Sequence, residues 1–433
     1  MTTTLIISVC TVVLMILSVL FLPIVRIGRV QVGGYCLAAL LGAFMLLVTG
    51  CVSPQTAING IFASSSINPV KILVLFLSMT SFSILLDELG FFRYLATATL
   101  HKAGRQQKVL FTYLYVIVSA LTVFTSNDII ILTFTPFICS FAFRAKISPV
   151  PYLFAEFVAA NTWSMALMIG NPTNIYIASF ENIGFFEYIG VMLFPTLAGG
   201  VVSLGVLYLL FRKTLAKPIE ASAERSYLDD PVLVKIGLAH LIVCIVLLTV
   251  SSYIGFEMWL VSLVLAVSLF VISFLYRTVH RESRAIILHT AMRMPWELVP
   301  FVLSMFVLVL SLDENGVCSA ISGLLGTKNA VWTYGSTSFV SANLLNNIPM
   351  SVLFAELSDV IEEPASRQAA YASIVGSNLG AYLTPIGALA GIMWSGILRR
   401  HGVKFDFRDF VRYGAAVSLP TLAATLAVLD VVL

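Results

Sequence analysis

Residues 69–90 read PVKILVLFLSMTSFSILLDELG, and residues 295–316 read PWELVPFVLSMFVLVLSLDENG. Aligned without a gap, the two stretches share these identical pairs: Pro69/Pro295, Leu77/Leu303, Ser78/Ser304, Met79/Met305, Leu86/Leu312, Asp87/Asp313, Glu88/Glu314 and Gly90/Gly316. The correspondence continues downstream in two further matches: Asn127-Asp128 with Asn346-Asn347, and Asn161 nine residues before Gly170 with Asn378 nine residues before Gly387. Similarity between such distant stretches predicts a chain built from two related halves.

The composition places the chain in a membrane. Of its 433 residues, 59% are hydrophobic and 11% are charged, whereas about 25% of the residues of a soluble domain are charged. Residues 4–22 are apolar, and Pro23 to Arg29 offers no small-residue cleavage site, so we expect a first membrane helix rather than a removed signal peptide. The six cysteines are scattered without a CxxC motif, which favours small buried hydrophobes. The alternative is a thiolate trap for a soft metalloid, which needs about three converging sulfurs.

Four apolar segments are too short to cross a bilayer, because a spanning helix needs about 20 residues. They form two adjacent pairs, 109–125 with 128–143 and 331–345 with 348–358, each joined by polar residues without a real loop. This arrangement predicts two re-entrant helical hairpins. Non-helical hairpin tips are tolerated at membrane depth only where protein or a water-filled cavity surrounds them.

The basic residues predict the orientation. With about 10 transmembrane helices and the loop at 23–33 in the cytoplasm, all of the 25 Lys and Arg residues fall on the cytoplasmic side except Lys71, Lys328 and Arg367. This is the bias of the positive-inside rule. Both termini are then external, the first hairpin opens from the cytoplasm and the second from outside. The two halves are therefore inverted relative to each other.

The fold prediction is an all-α polytopic membrane protein of two inverted repeats. The predicted divisions are an extra N-terminal transmembrane helix in 1–33, a first repeat in 34–211, a charged cytoplasmic linker in 212–231 and a second repeat in 232–433. We expect residues 91–104 to lie as an amphipathic helix at the cytoplasmic interface. Inverted repeats are typical of secondary transporters, whose site lies where the halves meet.

Polar and helix-breaking residues enter the apolar segments at the two hairpin tips and within the long stretches 150–180 and 369–398. Pro removes a backbone donor and Gly permits unusual angles, so each long stretch predicts a helix broken near its middle. The exposed helix ends attract ions and polar solutes. The candidate substrate-binding residues are Ser126, Asn127, Asn161, Gly170, Asn171, Pro172, Thr173, Asn174, Asn346, Asn347, Asn378, Thr384, Pro385 and Gly387. The alternative is that the prolines only kink helices and the asparagines only join them.

Two carboxyl groups are candidates for binding the coupling ion or proton. Asp128 lies at a hairpin tip, and its counterpart in the second half is the neutral Asn347. A carboxylate at membrane depth is costly, so we expect Asp128 to carry the coupling; the alternative is that it accepts hydrogen bonds from a helix N-terminus. Glu156, before Asn161, is the second candidate, with a buried hydrogen bond or a position at the cytoplasmic end as the alternative. The repeated Asp-Glu pairs at the helix ends are predicted hinge or capping residues: Asp87-Glu88 and Asp313-Glu314.

The sequence contains no Walker A motif, no GxGxxG motif and no metal-spaced His and Cys cluster. We therefore expect neither an enzyme nor a cofactor or metal site. ATP-driven transport would need a separate ATPase subunit. The basic residues flank membrane segments and form no patch suited to nucleic acid.

The chain resembles the ion transporter superfamily over about residues 30–412. That group includes ArsB-type arsenite permeases, divalent anion/sodium symporters and NhaD-type sodium/proton antiporters. The stretches MPWELVPFVLSMF, LLNNIPMSVLF and SNLGAYLTPIGALAGIMW are similar to ArsB. The resemblance implies a scaffold domain and a transport domain of two hairpins and two broken helices, in a homodimer that moves as an elevator in a prokaryotic inner membrane.

Two features depart from these relatives. Dicarboxylate symporters resemble one another in carrying Ser-Asn-Thr at both tips, whereas here the tips read Ser-Asn-Asp and Leu-Asn-Asn. The first break, Gly170 to Asn174, reads Gly-Asn-Pro-Thr-Asn, which is more similar to the wider superfamily than to arsenite permeases.

The sequence thus predicts a secondary active transporter that exports arsenite or antimonite as neutral hydroxides, coupled to inward proton movement through Asp128. Neutral polyhydroxy solutes suit a site of amides, hydroxyls and backbone ends with little fixed charge. The alternatives are a sodium- or proton-coupled inorganic or organic anion transporter, a sodium/proton antiporter, and a passive channel or membrane scaffold.

Overall fold

A computed structural model describes residues 2–22, 24–27, 30–62, 68–95, 106–219, 228, 230–254 and 256–433. Within these residues the chain forms 19 α-helices and one two-stranded antiparallel hairpin, in which β1 (Ile24–Ile27) pairs with β2 (Val30–Gly33). Eight helices of the described residues are long and apolar enough to cross a membrane. The predicted class, an all-α polytopic membrane protein, is confirmed. The inversion of the halves and the number of crossings stay predictions.

The helices fall into two series with the same order. The first series is α1 (Thr2–Phe21), α2 (Gly34–Val48), α3 (Pro54–Ile61), α4 (Pro69–Glu88), α5 (Gln107–Phe124), α6 (Asn127–Arg144), α7 (Val150–Trp163), α8 (Pro172–Phe180) and α9 (Phe185–Leu215). The second series is α10 (Pro231–Ile254), α11 (Met258–Val279), α12 (Ala285–Arg293), α13 (Leu298–Glu314), α14 (Val317–Leu325), α15 (Ala330–Leu345), α16 (Asn347–Asp359), α17 (Ala365–Gly380), α18 (Leu389–Arg400) and α19 (Phe407–Val432). Residues 91–95, between α4 and α5, are also helical and occupy the place of α14.

The repeated stretch folds in the same way in both series. In each case it forms one long helix, α4 or α13, that ends just before a glycine in the left-handed region, with φ of 75° at Gly90 and 70° at Gly316. The glycine amide donates back to the carbonyl of the repeated aspartate, at 2.9 Å from Asp87 and 2.8 Å from Asp313. Only glycine adopts this end conformation without strain.

The helices expected for the two hairpins and the two broken helices are present, and the re-entrant course of the hairpins stays a prediction. Both arms of the first hairpin are among the eight helices long enough to cross a membrane. Helices α5 and α6 are joined by two extended residues, and α15 and α16 by Asn346 alone. Helix α7 continues through a break and a 3₁₀ turn (Met168–Gly170) into α8, and α17 continues through residues 381–388 into α18. The arms of the first hairpin are 18 residues each, longer than its apolar segments, because the helices extend into the polar residues Gln107, Lys108 and Arg144.

The two series interlock at these elements. Helix α6, the returning arm of the first hairpin, packs against α18 of the second broken helix, and α16 packs against α8 of the first. Helices α9 and α19 pack against each other. Helix α9 also packs against α7, and α19 packs against α17. Each hairpin is therefore held partly by the other half of the chain.

An ionic contact joins the halves at the end of α4. Arg293, the last residue of α12, donates to Asp87 at 2.8 Å and to Glu88 at 2.6 Å, while Thr133 of α6 donates to Asp87 at 2.9 Å. At the end of α13 the contact is neutral, because Asn315 donates to the Cys51 carbonyl at 3.0 Å. The hinge role predicted for the repeated Asp-Glu pairs stays a prediction.

Several sequence predictions lie partly outside the described residues. The amphipathic helix predicted for 91–104 is described only over 91–95, and the linker predicted for 212–231 only at 212–219, 228, 230 and 231. Four of the predicted cytoplasmic basic residues also lie outside them: Arg29, Lys102, Arg105 and Arg225.

Two glycines allow α15 and α17 to approach closely. A Cβ at residue 376 would come within 2.7 Å of the Gly335 carbonyl oxygen, and one at 380 within 2.7 Å of the Phe339 carbonyl oxygen. The spacing Gly376-x-x-x-Gly380 is the small-residue pattern of close helix pairs in membranes. This contact fixes the face of α17 that carries Asn378.

Replacing Gly376 by leucine tests this packing. We expect the variant to lose about 1–3 kcal/mol of unfolding free energy, because the side chain overpacks the α15–α17 contact. Gly205→Leu on α9 is the matched control, since a Cβ at this position would meet no atom within 4 Å. Reversible unfolding in mixed micelles measures both. Equal stability of the two variants would contradict the close contact.

Candidate substrate site

The first hairpin tip is bonded to the first broken helix. Thr125 and Ser126 are extended, and α6 begins at Asn127, which is buried. Its Nδ2 donates to Asn161 Oδ1 at 3.1 Å, and Asn161 Nδ2 donates to the Phe157 carbonyl of its own helix at 2.8 Å. A buried amide must find such partners, because an unpaired one costs about 1–3 kcal/mol. The bond therefore fixes the tip against α7.

The second hairpin tip is hydrogen-bonded to backbone groups of the second broken helix. Asn346 has a φ of 75°, and its Nδ2 donates to the Ile386 carbonyl at 3.0 Å. The Asn347 amide donates to the Gly387 carbonyl at 3.0 Å. Asn343, one turn before the tip on α15, accepts from both the amide and the hydroxyl of Thr384, at 3.0 and 2.8 Å. These contacts satisfy backbone groups that the broken helix leaves free.

Asn378 joins the two broken helices. It is fully buried on α17. Its Oδ1 accepts from Asn171 Nδ2 at 2.8 Å and lies 2.8 Å from the Ser164 hydroxyl, and its Nδ2 donates to Asn174 Oδ1 at 2.6 Å. The same Ser164 hydroxyl lies 2.8 Å from the Asn161 carbonyl. A continuous amide network therefore links the first tip, the first break and the second broken helix.

The first break has a tight local structure. The Asn171 side chain accepts from the Thr173 amide at 3.2 Å and caps α8, whose first residue is Pro172. Proline suits this position because an N–H group in the first turn of a helix has no acceptor within the helix, so its absence costs no hydrogen bond. A Cβ at Gly170 would lie 2.9 Å from Ser164 Cα, so the chain can fold back here only with glycine.

Some buried polar atoms around this network have no hydrogen-bond partner within the described part of the chain. They are Ser126 Oγ and Asn127 Oδ1 at the first tip, Thr173 Oγ1 in the first turn of α8, and Ser377 Oγ beside Asn378. Buried polar groups are normally paired, so these four oxygens are candidates for hydrogen bonds to a solute. All four are neutral hydroxyl or amide oxygens.

The two candidate carboxyl groups lie in different surroundings. Asp128 is in the first turn of α6, where the helix dipole favours a carboxylate, and it is partly exposed. Glu156 is 1% exposed and accepts from the Thr135 hydroxyl, at 3.0 and 3.1 Å for its two oxygens. Among the described residues, no hydrogen bond joins Glu156 to the amide network, which agrees with the alternative of a buried structural hydrogen bond.

The structure thus brings most of the candidate residues together in two linked sets. The amide network holds Asn127, Asn161, Asn171, Asn174 and Asn378, and the second tip holds Asn346, Asn347, Thr384 and Gly387. Sequence reasoning missed Ser164 and Asn343. Asn343 could have been found, because it lies one helical turn before Asn346. Ser164 gave no such signal, since serines are common in membrane helices.

The cysteines do not form a trap for a soft metalloid. Within the described residues no three His, Cys, Asp or Glu side chains are grouped so that they could hold a metal ion. All six cysteines are free, and four of them are buried, namely Cys36, Cys139, Cys244 and Cys318. They pack as small hydrophobes.

Comparison with known proteins agrees with this architecture. A protein named "Arsenical pump membrane protein" from Escherichia coli (strain K12) is 29% identical over 414 residues, which cover 90% of this chain and 92% of that protein. A protein of the same name from Yersinia enterocolitica is 28% identical over 372 residues, covering 82% of this chain and 84% of that protein. The predicted resemblance to this superfamily is confirmed.

A solved structure shares the fold. The crystal structure of the Alcanivorax borkumensis YdaH transporter, described as having an unusual topology, matches with a TM-score of 0.54 over 99% of this chain and 97% of that one. The identity is 13%, so the match concerns the fold alone.

The family model described as "Citrate transporter" matches residues 34–376, which include both tips, the first break and most of α17. Its members and the relatives named above are permeases rather than enzymes. The chain belongs to this citrate transporter family and is a membrane transporter.

Proposed function

We propose that this protein exports arsenite, or the related antimonite, and drives the export with inward proton movement. The solute is carried as its neutral hydroxide. The observation that carries this proposal is the group of unpartnered neutral oxygens at Ser126, Asn127, Thr173 and Ser377. A small molecule with several hydroxyl groups supplies both donors and acceptors to such atoms.

The charge of the site supports a neutral or weakly charged solute. The residues of the two linked sets carry amides, hydroxyls and backbone groups, and none of them is Lys or Arg. A multiply charged anion moved to this depth would lose its hydration without gaining a cationic partner, which costs several kcal/mol per charge. A neutral hydroxide does not meet this cost. The names of the two relatives, both arsenical pump membrane proteins, support the same solute.

Asp128 is the coupling residue in this proposal. It lies beside Asn127 at the first tip, in the first turn of α6. Its counterpart Asn347 cannot titrate. Proton binding at Asp128 would change the charge of the site by one unit next to the solute, which is the requirement for coupled movement. Glu156 is a weaker candidate, because its carboxyl group accepts from the Thr135 hydroxyl and no hydrogen bond within the described residues joins it to the amide network.

A second candidate is a sodium- or proton-coupled transporter of another small anion. Two observations favour it: the family model is described as a citrate transporter, and α6, α8, α16 and α18 all begin at the tips or breaks. Helix N-termini attract anions through their free N–H groups and the helix dipole. Citrate itself carries three carboxyl groups, and the site offers these no basic side chain.

The membrane orientation is part of the proposal. The protein would lie in the inner membrane of a prokaryotic cell with both termini outside, because this places nearly all basic residues in the cytoplasm. A homodimer with an elevator motion is proposed by family resemblance, and any ATPase subunit would be a separate chain.

Arsenite uptake into everted membrane vesicles tests the solute and the driving force together. We expect accumulation that rises at least about tenfold when a proton gradient, acid inside, is imposed, because protons then leave as arsenite enters. Vesicles from cells without the protein are the control. Uptake of citrate or sodium exchange without any arsenite movement, in vesicles shown to contain folded protein, would overturn this proposal in favour of the second candidate.

Asp128→Asn tests the coupling residue. The amide keeps the size of the side chain but cannot release a proton, so we expect gradient-driven accumulation to disappear while solute exchange at equal concentrations continues. Glu362→Gln, at an exposed position before α17, is the matched control. Unchanged accumulation in Asp128→Asn would remove Asp128 from the mechanism.

Alanine at each hairpin tip tests whether both halves build one site. We expect Asn127→Ala and Asn346→Ala to weaken arsenite binding to a similar extent, by roughly tenfold each. Asn127→Ala removes one hydrogen bond of about 1.4 kcal/mol to the solute, and Asn346→Ala removes the hydrogen bond to Ile386 that positions the second tip. Asn59→Ala, at an exposed position on α3, should bind like the unmodified protein. Isothermal titration of the purified protein measures all three. An effect confined to one tip would contradict a shared site.

A further inference from the structure

The helices fall into two groups that pack mainly within themselves. Helices α1–α4 and α10–α13 form the first group, which includes the two long helices of the repeated stretch. Helices α5–α9 and α15–α19 form the second group, which includes both hairpins and both broken helices. Helix α14 and residues 91–95 lie between the groups along the chain. The amide network and both tips therefore belong to one packed group.

The contact between the two groups is largely apolar and contains voids. Helices α4 and α13 of the first group meet α8 and α16 of the second. A cavity of about 20 Å³ lies in this contact, and the first group lines it with apolar side chains only, namely Ile72, Leu73, Phe76, Leu298 and Val302. A close-packed interior contains few such voids, and apolar contacts have no preferred direction. This surface therefore allows one group to move along the other.

One hydrogen bond crosses between the groups. The Thr133 hydroxyl of α6 donates to Asp87 Oδ1, near the end of α4, at 2.9 Å. Among the hydrogen bonds and ion pairs between described residues, no other joins a helix of one group directly to a helix of the other. Helix α14, which belongs to neither group, is bonded to the second through Ser322 and the Leu357 carbonyl. The Thr133–Asp87 bond is thus the one directional contact on an apolar surface.

Each side of this bond is held within its own group. Arg293 of α12 donates to Asp87 Oδ2 at 2.8 Å, so an ion pair inside the first group orients the carboxylate. Thr135 lies about 200° around α6 from Thr133, and it donates to Glu156 of α7 inside the second group. A hydrogen bond to a charged acceptor is roughly twice as strong as a neutral one. The contact therefore favours one relative position of the two groups.

The second half of the chain has no equivalent of this bond. Asp313 matches Asp87 in the repeated stretch. Counted from the tips at Asn127 and Asn346, the residue of the second hairpin that matches Thr133 is Val352, which cannot donate a hydrogen bond. Within the described residues, only the first hairpin is therefore bonded through a side chain to a long helix of the repeat. The apolar surface comes from both halves, whereas the bond comes from one.

We propose that the Thr133–Asp87 hydrogen bond is a latch between the two groups. It holds the second group, with its tips and breaks, in the position that the structure describes, and it opens whenever that group moves along α4 and α13. Arg293 keeps the Asp87 carboxylate oriented, so the bond forms again when the group returns. The latch follows from the division into two groups, and it does not depend on which solute the protein carries.

Spin-label distance measurements on the purified full chain in lipid nanodiscs test the latch. Leu288→Cys on α12 and Arg400→Cys on α18, both at exposed positions, carry one label in each group. Cys10 and Cys51, which are not buried, are replaced by serine so that they take no label. Thr133→Val keeps the shape of the side chain but removes the donor. We expect the described separation, relative to other separations, to become at least about tenfold less populated.

Two further variants separate the hydrogen bond from packing. Thr133→Ser keeps the hydroxyl and should give the distances of the unmodified protein, as should Thr112→Val at an exposed threonine of α5. Unchanged distances in Thr133→Val overturn the latch. An equal loss of the described separation in Thr133→Ser also overturns it, because the hydroxyl would then not be the group that matters. No solute is added, so absence of arsenite transport would count against the proposed function and not against the latch.

Discussion

The four hydrogen-bonding positions of one buried amide, Asn378, hold the centre of this protein together. Breaking a helix inside a membrane frees backbone and side-chain groups that no solvent can satisfy, and each such group costs several kcal/mol in hydrocarbon. Asn378 satisfies several of these groups, because its side chain on α17 of the second half forms hydrogen bonds with Asn171, Asn174 and Ser164 of the first half. The close packing of α17 on α15 through Gly376 and Gly380 puts the amide in place. The tips are then fixed against the breaks by Asn127 and Asn346.

A site built in this way is neutral by construction. Amides and hydroxyls satisfy one another without fixed charge, and the one carboxylate at a tip, Asp128, is partly exposed rather than buried in the network. The side chains that stay unpaired beside the tips and breaks, such as Ser126 and Thr173, are neutral as well.

The sequence predicted where the tips and breaks of this site lie better than it predicted the hydrogen bonds that join them. The repeat pointed to the tips at Asn127 and Asn346 and to the breaks near Gly170 and Gly387, because polar residues in apolar segments stand out at any position. Hydropathy underestimated the hairpin arms, since α5 and α6 continue into polar residues at the membrane surface. The partners of Asn378 could not be predicted, because the bonds run between residues more than 200 positions apart.

The crossed packing of the hairpins has a consequence for synthesis of the protein. Helix α6 rests on α18, which leaves the ribosome long after it, so the first hairpin enters the membrane without the surface that will cover it. Until then the face of α6 that will pack on α18 has no protein partner. Chains that lack the second half will also leave the amides of Asn171 and Asn174 without their partner Asn378. The first break is therefore completed only after nearly the whole chain has been made.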